Sequence, residues 1–75
     1  VDEVTERVRT LVAEVLGVPR SSVMPELSRD AVPQWDSLGH LRLVTALEAE
    51  FAVRPTMTQI AAIRTVRDLA QLAGG

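Results

Sequence analysis

The residues of this 75-residue chain best suited to chemistry stand close together, as Asp36, Ser37 and His40. A serine with an imidazole three residues on and a carboxylate beside it has the parts of a nucleophile, a base and an orienting acid, because residues three apart on a helix can approach each other. The surrounding residues argue against that use. A nucleophile elbow needs glycine two positions before the serine, and Trp35 stands there. No second element is evident to build an oxyanion hole or substrate pocket. One histidine among scattered carboxylates is no metal site either. What remains is a hydroxyl displayed at a helix start, where it either caps backbone N–H groups or is held out for another molecule to reach.

The elements around Ser37 are helical. Val4, Val8, Leu11, Val12, Val15 and Leu16 repeat at three- and four-residue spacing, which predicts a helix over 2–16, stopped by Gly17 and Pro19. From Gly17 to Trp35 the period is lost among prolines, serines and aspartate, which predicts a long loop with room for one short turn. Such loops are uncommon in compact domains unless they have a job. Here Val23, Met24, Leu27, Val32 and Trp35 are expected to pin it across the helices.

A second helix is expected over 37–51, with Leu43, Leu47 and Phe51 on its core stripe and Val44 and Ala46 beside it. Ser37 falls off that stripe and shares a face with Leu41, Thr45 and Glu48, while Leu38 and Leu41 flank it outside the core. Residues 58–62 read as a short helix, and Thr65-Val66-Arg67-Asp68 as a capping box opening a last one that ends before Gly74-Gly75. The expected fold is all-α: three main helices, one short helix and a long first connection. Ile60, Ile63, Val66 and Leu69 join Leu43, Leu47 and Phe51 as the expected core.

Composition excludes several classes of function. With no cysteine there is neither a disulfide framework nor a thiolate metal site, which fits a reducing compartment. The net charge of −2 and the scatter of the eight basic residues, all arginine, argue against nucleic acid, which draws on a basic stripe. No stretch approaches the roughly 20 apolar residues that span a bilayer, and Val1-Asp2-Glu3 does not open a signal peptide. A cytoplasmic protein without membrane attachment is expected. The terminal Gly74-Gly75 is shared with ubiquitin-like modifiers, but the alternating strands of their fold are missing.

The run Trp35-Asp36-Ser37-Leu38-Gly39-His40-Leu41-Arg42-Leu43, followed by Leu47-Glu48-Ala49-Glu50-Phe51 and preceded by one helix and a long loop, resembles the acyl carrier protein family over nearly the whole chain. The resemblance implies a four-helix acyl-carrier bundle, with residues 1–75 as a single carrier domain. It implies a 4′-phosphopantetheine arm, taken from coenzyme A and attached covalently to Ser37 by a phosphopantetheinyl transferase, with Asp36 helping the transferase engage. The chain would then be a carrier and not an enzyme, holding acyl groups as thioesters on a thiol that the chain itself lacks. The implied partners are that transferase, acyl-loading enzymes such as an acyltransferase or ligase, and a ketosynthase or other condensing enzyme, met by a monomer. Partner docking beside the serine would fall on Leu38, Leu41, Arg42, Thr45, Glu48 and Ala49.

Fatty-acid members of the family usually have strongly acidic second and third helices. This chain has Gly39, Arg42 and Ala49 on the second, and Thr58, Gln59, Ala61 and Ala62 beyond it. That departure favours polyketide or another specialised pathway. A peptidyl or aminoacyl carrier is the near alternative, although Gln34-Trp35-Asp36 stands where its attachment motif usually has glycines. A helical protein-interaction module without an arm is the competitor from another class.

Overall fold

A helix start leaves backbone N–H groups without partners, and a short carboxylate just before it can accept from one of them. Asp2 does this in a computed structural model of the chain, which describes residues 2–74: its Oδ1 accepts from Thr5 N–H at 2.6 Å. Helix α1 (Glu3–Leu16) follows and buries Val8, Leu11, Val12 and Leu16 on the expected face. It stops at Gly17, whose φ of 70° is the left-handed conformation glycine adopts without a Cβ clash. The N–H groups of Gly17 and Val18 both donate to the Ala13 carbonyl there.

The long connection holds two 3₁₀ turns, Arg20–Ser22 and Arg29–Ala31, where the sequence suggested one. Val23 and Trp35 are buried, and Leu27 and Val32 pack partly against the core, so most of the expected pins hold. Met24 does not. It is exposed, because consecutive residues of non-helical backbone point to opposite sides and Val23 takes the inward one. The loop is also sewn down by its backbone: Val66 N–H donates to Leu27, Arg29 N–H to Arg64 and Arg67 N–H to Pro25, at 2.9–3.1 Å. Ser28 and Thr65 form an isolated antiparallel bridge in this seam.

Helix α2 (Ser37–Phe51) has the boundaries that its apolar pattern predicts, and it buries Leu43, Val44 and Leu47. Helix α3 (Met57–Ala62) begins one residue before the expected short helix, because Thr56 and Gln59 form a capping box. The Thr65/Asp68 capping box is present and opens α4 (Val66–Leu72). Helix α1 packs on α2 and α4. The result is the expected all-α arrangement of four helices, and no strand runs among the described residues. Leu43, Leu47, Ile63, Val66 and Leu69 lie in the core, each large aliphatic side chain contributing about 1.5–3 kcal/mol of apolar burial. Phe51 and Ile60 lie at its edge, only half-buried. Phe51 ends α2 and presents its ring to the Arg7 guanidinium, 4.5 Å from the centroid. The expected ending at Gly74-Gly75 is described only to Gly74, and Gly75 lies outside the described residues.

One position on α2 and one at its C-terminal cap invert the usual ranking of alanine over glycine in helices. Gly39 is buried where the loop crosses the helix start: a Cβ there would collide with the backbone carbonyl of Gln34 and lie 3.3 Å from both Asp36 Oδ1 and Leu16 Cδ2. Ala52, just past the helix end, has a φ of 53°, a conformation that costs an L-residue roughly 1–2 kcal/mol. Gly39→Ala should therefore lower unfolding stability by about 1–3 kcal/mol, against a helix-propensity gain of about 1 kcal/mol. Ala52→Gly should raise it by about 0.5–1 kcal/mol. Urea denaturation of both variants beside the parent checks the opposite signs.

Glu6 joins α1 to the first 3₁₀ turn. Its carboxylate accepts from Arg20 at 2.7 Å and from Arg9 at 3.1 Å, and these bonds, Arg20's first, hold its pKa below the ordinary carboxylate value. A depressed folded pKa stabilises the fold above the unfolded-state pKa, and that contribution is lost as the pH falls through the folded one. Arg20→Ala should move the Glu6 carboxyl titration upward, as read by NMR.

Candidate functional site

The start of α2 is held by Asp36, not by the serine. Asp36 is extended, its Oδ1 accepts from Gly39 N–H at 2.8 Å, and its carbonyl accepts from His40 N–H at 2.8 Å. Ser37 is the first helical residue and is exposed. Of the two uses open to the Ser37 hydroxyl, capping is taken by an aspartate one position earlier, which accepts from Gly39 N–H.

His40 is committed to the fold as well. It is 7% exposed. An indole nitrogen can only donate, so the 3.0 Å bond from Trp35 Nε1–H makes His40 Nδ1 an acceptor. The proton of the neutral ring is thereby placed on Nε2, which donates to the Ile60 carbonyl at 3.0 Å. The Trp35 and His40 rings lie edge to edge across this bond, their centroids 6.3 Å apart and their planes inclined by 23°. Both imidazole nitrogens are used within the fold, so His40 cannot serve Ser37 as a base. The clue in the sequence was pairing itself: a lone tryptophan on a pinning loop needs an acceptor when buried, and the lone histidine stands five residues on.

Around the serine the surface is apolar where it is free. Leu38 and Leu41 are 66% and 60% exposed, and Arg42, Thr45 and Ala49 are exposed beside them along α2. Glu48 is half-buried. Thus Ser37, Leu38, Leu41, Arg42, Thr45 and Ala49 do share the outer side of α2, while Glu48 turns toward its margin. Met57, at the start of α3, is 80% exposed and was not among the expected interface residues. Leucine side chains this free of the core form the kind of patch that marks a contact surface. Surface grooves run between α1 and α2, lined among others by Leu11, Val15, Ala46 and Ala49, and Ser37 lines none of them. Among the described residues no group of three or more His, Cys, Asp or Glu side chains could hold a metal. Among the same residues no helix is long and apolar enough to cross a membrane. An exposed hydroxyl that the fold does not use suits a group attached covalently and extending outward, better than one enclosed by the chain.

The model of the phosphopantetheine attachment site family matches residues 6–73. The chain is 36% identical over 67 residues to an acyl carrier protein of Thermosynechococcus vestitus, covering 89% of this chain and 83% of that one. It is 34% identical over 70 residues to one of Saccharopolyspora erythraea, covering 93% and 74% respectively. A third, from Acidothermus cellulolyticus, is 33% identical over 67 residues, covering 89% and 80%. Because these matches span the bundle and not a motif alone, they show that the chain belongs to the acyl carrier protein family, whose phosphopantetheine-bearing members carry acyl groups and leave catalysis to other proteins.

Proposed function

We propose that residues 1–75 act as one carrier unit on which Ser37 bears the phosphopantetheine arm and Asp36 assists the transferase. The observation that carries this reading is the division of labour at the helix start: Asp36 caps α2, and the Ser37 hydroxyl stands exposed without a structural task. In the transfer, Ser37 Oγ would lose its proton and form a bond to the phosphorus next to the pantetheine of coenzyme A. The pyrophosphate bond breaks, and the nucleotide half leaves. The bound arm supplies a thiol that holds acyl groups as thioesters. What this chain supplies is a rigid helix start that fixes the attachment oxygen and an apolar face, Leu38 and Leu41, for partners to recognise.

The finer assignment is to polyketide or another specialised-metabolite pathway. It is supported by the face of α2 and α3, where Arg42, Ala49, Thr58, Gln59, Ala61 and Ala62 are all exposed and none is acidic. Strongly acidic carriers steer to basic partners. This face suits acyl-loading and condensing enzymes whose docking surfaces are less basic or more apolar, met briefly by a monomer in the cytoplasm.

Incubation with coenzyme A, Mg²⁺ and a broad-specificity phosphopantetheinyl transferase should add one phosphopantetheinyl group, read by intact-protein mass. Ser37→Ala should gain nothing while its stability stays within about 0.5 kcal/mol of the parent, whereas Asp36→Ala should lose about 1 kcal/mol with its cap. Modification of the Ser37→Ala variant, or failure of several transferases to modify the folded parent, would defeat the assignment.

A further inference from the structure

The segment from Trp35 to His40 is closed on itself. Gly39 N–H and His40 N–H donate to the Asp36 side chain and carbonyl, at 2.8 Å each, and Trp35 Nε1–H donates across to His40 Nδ1 at 3.0 Å. Ser37 sits inside this hydrogen-bonded turn and points to none of its bonds. The turn is anchored behind, where Trp35 N–H donates to Val32 at 3.0 Å, and it is tied forward to α3 through His40 Nε2 and the Ile60 carbonyl, at 3.0 Å.

Helix α3 needs that tie. None of its six residues is buried, so apolar packing holds it only lightly. Carbonyls in the last turn of a helix lack intrahelical partners, and the Ile60 carbonyl otherwise receives only the Ile63 N–H, at 3.3 Å. A neutral imidazole with its proton on Nε2 meets both demands at once, accepting from the loop and donating to α3. No buried side-chain nitrogen or oxygen among the described residues is left without a partner, so the relay is complete.

We infer that His40 is a positioning residue for the attachment site, a relay that registers α3 against the Ser37 turn so that the hydroxyl and the exposed Met57 are presented to a partner as one surface. This rests on Ser37 being the attachment residue. The side chain acts through Trp35 and the Ile60 carbonyl, never on the transferred group. Loss of the relay leaves the serine in place but lets the turn and α3 move independently. Misplacement of a reacting atom by about 1 Å can cost on the order of a hundredfold in rate, so even partial loosening should register.

The test compares the parent with His40→Gln and His40→Phe. A glutamine amide offers one acceptor and one donor, much as this tautomer does, whereas phenylalanine keeps the ring volume and offers neither. In the parent, ¹⁵N shifts of the imidazole should report an unprotonated Nδ1 and a protonated Nε2 at neutral pH. The Trp35 indole N–H and the α3 amides should exchange slowly. In His40→Phe the indole resonance should shift, α3 amides should exchange faster, and kcat/KM for phosphopantetheine transfer should fall on the order of tenfold. His40→Gln should restore protection of both and bring transfer to within about threefold of the parent.

An Nδ1-protonated ring in the parent would overturn the inference, whatever the variants do. So would a His40→Phe protein with unchanged α3 protection and transfer, or a His40→Gln protein no better than His40→Phe. A parent that passes the NMR measurements yet accepts no arm would count against Ser37 as the attachment residue, and the relay would lose its assigned purpose.

Discussion

The loop that precedes α2 must cross the first turn of that helix at backbone contact, and much of the molecule is arranged around this crossing. The Gln34 carbonyl lies where a Cβ at position 39 would be, so only glycine admits the approach. Once the loop is that close, Trp35 can be buried and its indole N–H brought to His40. Asp36 then falls at the N-cap, and Ser37 is the first residue to emerge. The exposed serine follows from burial of its neighbours on both sides, Trp35 before it and Gly39 and His40 after it.

The connection as a whole explains how a small chain with one long loop keeps a defined shape. A bundle of this size gains limited apolar burial. The connection adds to it with Val23 and Trp35, and its backbone pairs with Arg64 just before α4 and with Val66 and Arg67 in its first turn, through Arg29, Leu27 and Pro25. The long loop thus works as a strap fastened to the start of α4. Backbone hydrogen bonds in such a seam contribute modestly one by one, but burying their partners without them would cost more. Charge plays a smaller part: the Arg7–Glu50 and Arg67–Glu26 pairs are exposed and worth little.

At the start of α2 the groups that hold the fold together are separate from those left exposed. Asp36 gives one carboxylate oxygen to the backbone of α2, and His40 gives both ring nitrogens to the indole and α3. The side chains exposed along α2 beyond Ser37 are Leu38, Leu41, Arg42, Thr45 and Ala49, which offer area for contact and carry neither thiol nor amine. The absence of cysteine from the whole sequence is in keeping with this, since a thiol of the chain's own could exchange with a thioester on the arm.

Helix periods, caps and the attachment motif were legible in the sequence because they are local. A stripe at three- and four-residue spacing must be buried somewhere, Gly17 must end a helix, and Thr65 with Asp68 must open one. The run from Trp35 to Leu43, with Leu47 to Phe51 after it and one helix and a long loop before it, was enough to suggest a carrier. Three features were decided only by tertiary structure. Which of two adjacent cap-formers, Asp36 or Ser37, takes the cap depends on where the loop directs the chain, and either would satisfy the local rule. The fates of Met24, Phe51 and Ile60 depend on where the core runs out, which no period encodes. The tautomer and task of His40 required an indole from one element and a carbonyl from another to meet on a third. Sequence spacing specifies a residue's neighbours along its own helix, but partners across elements are set by the packing of the whole chain.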